Sequence, residues 1–199
     1  EGRQGRSWEK LLVKFSTIIC IGGGPSLTAA DVEACRGYRV IAINDAYRLA
    51  PWAQVLYAAD GRWIDEWHAG VPSFKGLKFT VESREQTTRA DWQVLRLTGP
   101  LGLELDPTGV RSGENSGYQA INLAVHLGAK RILLLGYDMG AAPDGQAHWF
   151  GEHPVSSPLR PYARWCEAFA SLVEPLEALG IEVVNCSRST ALTVFRQTT

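Results

Sequence analysis

The hydrophobic positions of this chain fall into short continuous runs, and nearly every run stops at small or polar residues. Residues 16–21 are apolar and rich in β-branched side chains, which predicts a buried strand, and the run stops at Gly22-Gly23-Gly24-Pro25-Ser26-Leu27. Residues 28–35 follow as a short helix, with Thr28 placed to cap its start. Two more strands are predicted at 39–43 and 54–59, ending at Asn44-Asp45 and Asp60-Gly61, with a helix at 62–68 after the latter. The stretch 70–111 is less regular. It holds weaker strand signals at 77–81 and 94–97, while Pro100, Pro107 and several glycines mark loops. Pattern returns with a helix at 117–127, closed by Gly128. Residues 131–135 are so uniformly apolar that both faces of that strand must be covered, and the run stops at Gly136-Tyr137-Asp138. A helix at 162–179 ends at Gly180, and a last strand at 181–184 stops at Asn185-Cys186-Ser187.

This alternation predicts an α/β fold, a single doubly wound, Rossmann-like and mostly parallel sheet with helices on both faces and an irregular insert or lid at 70–111. The 199 residues suit one nucleotide-binding domain over 16–199. A leading amphipathic helix within 1–15 precedes it, where Trp8, Leu11, Leu12 and Phe15 make one apolar stripe. In open sheets of this kind ligands bind beyond the carboxyl ends of the strands. The polar stops therefore converge on one cleft, a coincidence that outweighs the ordinary reading of each as a turn.

Charge and cysteine usage narrow the class of partner. The 20 basic and 21 acidic residues nearly cancel and form no long block, so nothing calls for nucleic acid or a charged membrane surface. No apolar run is long enough to span a bilayer, and Glu9, Lys10 and Lys14 break the pattern a signal peptide needs. Cys20, Cys35, Cys166 and Cys186 include no C-x-x-C pair and read as free thiols of a cytoplasmic protein. A homo-oligomer is compatible with this composition.

Three segments carry candidate chemistry. The loop Gly22, Gly23, Gly24 lets the backbone approach a ligand closely, the amides opening the next helix favour negative charge, and Ser26 adds a hydroxyl. It is neither a P-loop nor the full dinucleotide fingerprint. A second helix start, Ser112-Gly113-Glu114-Asn115-Ser116-Gly117, suits both capping by Asn115 or Ser116 and an amide cradle for a ligand. The third segment, His148-Trp149-Phe150-Gly151-Glu152-His153-Pro154, places two histidines in a loop, where either can act as a general base near neutral pH. Their spacing is not that of a helical metal pair, so no zinc is expected. His126 reads as packing or surface, His68 as a helix-end residue, and Trp52, Trp63, Trp67, Trp92 and Trp165 as core.

Four of these motifs occur in order over most of the chain: IICIGGGPSL at 18–27, IAIND at 41–45, SGYQAINLAVHL at 116–127 and GAKRILLLGYD at 128–138. Together they resemble the bacterial sialyltransferases that use CMP-sialic acid. They also resemble a related nucleotide-fold group that includes archaeal-type 6-hydroxymethylpterin diphosphokinases and motility-associated glycosylation proteins. The resemblance implies that Gly22, Gly24, Ser26, Asn44, Ser116 and Gly117 hold CMP and that Asp138 lines the base or ribose. It implies a catalytic histidine in the segment 148–153, with His153 nearer the matching position than His148. Two departures stand out. Met139, Gly140 and Ala141 occupy the place of the family's phosphate-steadying tyrosines, and Ala59-Asp60-Gly61 replaces an asparagine-bearing loop. A carboxylate at Asp60 repels phosphate unless a metal or proton intervenes. The expected function is a nucleotide-binding, glycosyltransferase-like enzyme that takes a CMP-sugar-type donor and needs no metal. The alternatives are a Mg²⁺-dependent diphosphokinase, with Asp60, Asp138 and Asp45 around the metal, and a non-catalytic nucleotide binder.

Overall fold

The computed structural model describes residues 16–66, 71–82, 91–151 and 161–198. The apolar stripe of 1–15, Trp67, His68 and the candidate base His153 lie outside the described residues. Nine strands form a single parallel sheet. On one side β1 (Thr17–Ile21), β2 (Arg39–Ile43), β3 (Val55–Tyr57), β4 (Leu77–Val81), β5 (Trp92–Leu97) and β6 (Gly109–Val110) step outward in chain order. The chain then returns, and β7 (Arg131–Leu135), β8 (Glu182–Asn185) and β9 (Arg196–Gln197) step outward on the other side. The spatial order is β6-β5-β4-β3-β2-β1-β7-β8-β9.

The expected fold class is therefore present, and the reason is visible in β1. Ile18 and Cys20 enter one buried cluster, whereas Ile19 and Ile21 enter another. Successive strand residues face opposite sides of a sheet, so a strand covered on both sides must be apolar throughout. The first cluster is closed by α3 (Ser116–His126), α4 (Tyr162–Ala170) and α5 (Val173–Ala178), and the second by α1 (Ala29–Ala34) and α2 (Gly61–Glu66). Thr28 caps α1 as expected. Its hydroxyl accepts the Asp31 amide at 3.2 Å, and the Asp31 carboxylate accepts the Thr28 amide at 3.1 Å.

The structure differs from the pattern in three places. The helix expected over 162–179 is two helices, because Pro175 has no amide hydrogen and its ring would strike the Ser171 carbonyl one turn back. The chain turns there instead through bonds from Ser171 N to Ala168 O and from Leu172 N to Phe169 O, both 3.0 Å. The irregular stretch 70–111 carries its two expected strands and a third, β6, and all three extend the sheet at one edge. Strand β9, at the other edge, had no signal, since two exposed residues, Arg196 and Gln197, show no periodicity.

Phe169 of α4 ties these layers together. It is fully buried and meets Tyr118, Tyr137 and Phe195 edge-on at 5.5, 6.1 and 6.4 Å. Phe169→Ala removes that junction, and we expect it to lower unfolding free energy by about 3–5 kcal/mol. Urea denaturation of the two proteins checks this, and a loss under about 1 kcal/mol would contradict the packing described.

Candidate functional site

The strand order reverses between β1 and β7, and a cleft of about 570 Å³ opens there at the carboxyl ends of the strands. The register makes this possible. Ile21, the last residue of β1, pairs with Ala42 on one side and with Leu135 on the other, so β1 and β7 end level and β2 runs one residue further. Most of the residues singled out from the sequence line this cleft. Gly22, Gly23 and Gly24 come from the end of β1, Asn44 and Asp45 from β2, and Asp60 from the turn after β3. Ser116 and Gly117 come from the start of α3, Asp138 from the end of β7, and His148 from the loop beyond it.

Ser26 is not among them. It sits behind Asp138, donating its amide to Asp138 Oδ2 at 2.7 Å, while its hydroxyl accepts the Ser189 amide at 3.4 Å. The polar stop after β8 also stays outside the cleft. The buried Asn185 amide group donates to Thr190 Oγ1 and to the Leu192 carbonyl, and Ser187 Oγ accepts the Tyr137 amide at 2.8 Å. Both hold the β7 turn in place rather than facing a ligand.

The glycine loop works differently from an anion cradle. The Gly22 amide donates to Leu135 O at 2.8 Å and the Gly24 amide to Gly136 O at 2.9 Å, leaving Gly23 as the loop glycine whose amide no described carbonyl takes. The opening of α1 is already occupied by Asp31, which also pairs with Arg188 at 2.6 Å. What the glycines supply is clearance. A Cβ on Gly22 would lie 2.7 Å from Gly136 O, and one on Gly24 would lie 2.2 Å from Asp138 Oδ1. Only a loop without side chains lets the ends of β1 and β7 meet this closely.

Two cleft-lining residues carry a buried side-chain oxygen without a partner. Asn44 Oδ1 and Asp138 Oδ1 find no hydrogen bond among the described residues, although Asp138 is only 5% exposed. Unsatisfied buried polar atoms are rare because each forfeits its hydration. The backbone carries a second mark. Among the described residues three that are not glycine have left-handed φ, Asn44 at 49°, Glu114 at 52° and Met139 at 48°, and all three line the cleft. Strain of this kind persists where surrounding structure enforces it and concentrates at functional sites.

The start of α3 is held by its neighbours. Asn115 accepts the Gly117 and Tyr118 amides at 2.8 and 3.2 Å, so the capping reading of this segment holds, and Ser116 still faces the cleft. The Tyr57 hydroxyl donates to Gln119 Oε1 at 2.7 Å, and Gln119 Nε2 donates to Ser112 O at 2.7 Å, which fixes the loop leading into the helix. His126 lies elsewhere, bonded to Gly109 O at 2.8 Å and with its pKa pushed down by burial, in a packing role.

His148 bonds through Nδ1 to Gly23 O at 3.3 Å, and its ring stacks on Phe150 at 5.0 Å. Since a carbonyl can only accept, Nδ1 carries the hydrogen and Nε2 is the basic nitrogen of the neutral ring. The Arg48 guanidinium lies over Trp149 and Phe150 at 5.5 and 5.8 Å and reaches Asp45 Oδ1 at 3.4 Å, bracing this wall against the turn after β2.

The lining is acidic. Asp45, Asp60, Glu114 and Asp138 face the cleft, and the described lining contains no lysine or arginine. Asp45 accepts the Trp63 indole N–H at 2.8 Å, Asp60 accepts the Arg62 amide at 2.9 Å, and Glu114 pairs with Arg164 of α4. Tyr162 and Trp165 are lining residues that sequence reasoning missed, whereas Glu114 and Phe150 lie within segments it singled out and Met139 follows the Gly136-Tyr137-Asp138 stop. The left-handed backbone at Glu114 and Met139 gave no signal, because backbone strain is invisible in sequence. Tyr162 and Trp165 had one in their helical spacing, which reads equally well as core. Comparison with protein-family models, curated proteins and solved structures finds no match to this chain.

Burial raises the Asp138 carboxyl above its ordinary range, and the Ser26 amide and hydroxyl oppose that only in part. Ionising it therefore weakens the ligand-free fold, by an amount that grows as pH climbs from the unfolded pKa through the raised folded value. Asp138→Asn should be at least as stable as the parent near about pH 7, and its advantage should shrink towards about pH 4. Thermal unfolding of both proteins across that range checks the sign. A variant that loses stability at neutral pH would show that the buried carboxylate is well solvated.

Proposed function

We propose that the cleft binds a nucleotide and that the protein is a nucleotide-dependent transferase, of the glycosyltransferase kind with a CMP-sugar-type donor. The observation that carries this reading is the pair of unpartnered acceptors, Asn44 Oδ1 and Asp138 Oδ1, in the same cleft as the start of α3. Unpartnered acceptors on cleft-lining residues match the hydroxyl and amine donors of a nucleoside. The start of α3, with the Ser116 hydroxyl and the positive end of the helix dipole, matches a phosphate.

In the transfer step, an acceptor hydroxyl gives its proton to Nε2 of His148 as its oxygen bonds to the donor's sugar carbon. The bond from that carbon to the phosphate oxygen breaks, and the nucleotide leaves with the electron pair. The Gly23 amide and the Ser116 hydroxyl, fixed before the reaction, stabilise the departing charge without reorganising. His148→Ala should lower turnover by about 10²–10⁴-fold while leaving nucleotide affinity nearly intact. A non-catalytic binder would be indifferent to that change in every assay.

The acidic lining favours a second reading, a Mg²⁺-dependent phosphotransferase. Among the described residues no group of three or more histidine, cysteine or carboxylate side chains is gathered as a metal site. Mg²⁺ would then be held by one or two carboxylates, Asp60 and Asp138 foremost, together with the substrate's own phosphate oxygens. Thermal-shift titration separates the two readings. A rise in melting temperature with CMP or a CMP-sugar, equal with and without Mg²⁺, is expected for the first. A response confined to a purine triphosphate with Mg²⁺ would replace it by the second, and no response to any nucleotide would overturn both.

A further inference from the structure

The apolar stripe of α4 does not stay in the core along its whole length. Tyr162, Trp165, Cys166 and Phe169 lie on one side of the helix by spacing, and Phe169 is fully buried against Tyr118 and Tyr137. One and two turns earlier the same stripe passes over the cleft. Tyr162 and Trp165 line it, both half-buried, with their rings edge-on at 5.6 Å and 80°. A helix face that is core at one end and cavity at the other leaves two large rings with part of their surface uncovered.

This turn is anchored rather than loose. The Trp165 amide donates to Pro161 O at 2.9 Å, and Arg164, between the two aromatics, pairs with Glu114 just ahead of α3. This exposed ion pair links the aromatic turn to the loop ahead of α3. We infer that Trp165, with Tyr162 set edge-on against it, offers a stacking face for the planar ring of the ligand, so that the nucleobase lies on α4. The phosphate then points to Ser116, and the sugar hydroxyls meet Asn44 and Asp138. This assignment rests on the nucleotide reading and adds to it where the base is held and by what force. Base–aromatic stacking tolerates any base, since every base has a flat face.

The test is calorimetric titration of the parent, Trp165→Leu and Trp165→Phe with CMP, GMP and ribose 5-phosphate, with melting temperatures taken alongside. For whichever nucleotide the parent binds, Trp165→Leu should weaken affinity about 10-fold or more, and Trp165→Phe should recover most of it. Ribose 5-phosphate, which has no base, should change by less than about twofold. Equal losses for nucleotide and sugar phosphate, or an unchanged nucleotide affinity, would overturn the platform and leave the nucleotide reading standing. If the parent binds none of the three, nor a purine triphosphate with Mg²⁺, the nucleotide reading fails. The platform is then judged by saturation-transfer NMR with free cytidine, guanosine and pterin. Ring-proton signals present with the parent and lost in Trp165→Leu sustain it. No ring signal, or the same signal in both proteins, overturns it.

Discussion

The structure depends on the close meeting of two distant pieces of chain, the turn after β1 and the turn after β7. The Gly22 amide reaches Leu135 O and the Gly24 amide reaches Gly136 O, and the contact leaves no room for a side chain on either glycine. Ser26 then fixes one oxygen of Asp138, while the other is buried without a partner. The strand reversal supplies the opening, and this contact shapes its floor.

Much of the fold was legible because burial on both faces of a parallel sheet writes itself as uninterrupted apolar runs. The strands at 39–43 and 131–135 were read with the bounds they have, and Thr28 capped its helix as expected. Where a single residue overrode the pattern, reading was harder. Pro175 divides one periodic stripe into α4 and α5, and β9 is too short to show a period at all. The convergence of Gly23, Asn44, Asp60, Ser116 and Asp138 on one cleft was also legible, since strand ends in a parallel sheet share an edge. Ser26 was misplaced because chain position fixes which edge a residue occupies but not which side of a neighbour it takes. The uses of the loop amides were likewise hidden, since Leu135 and Gly136 meet them only after folding.

The electrostatic character of the cleft constrains its ligand as much as its shape does. Four carboxylates and no described lysine or arginine leave peptide dipoles, hydroxyls or a bound cation as the means of holding a phosphate. The unpartnered acceptors and the three left-handed residues fall on the same cleft, where strain of this kind concentrates at functional sites. The aromatic start of α4 gives this polar site an apolar wall, with Tyr162 and Trp165 edge-on to each other, which suits the proposed ligand with both a ring and hydrogen-bond donors.

The most direct measurement of the central claim is NMR shift mapping of the isotopically labelled protein as CMP is added. The account predicts that the largest changes fall on the Gly23 amide, the Asn44 side-chain amide, Ser116 and the carboxyl carbon of Asp138, with β9 unmoved. Changes gathered instead around Ser187 and Arg188, behind Asp138, or at the amino ends of the strands would contradict it.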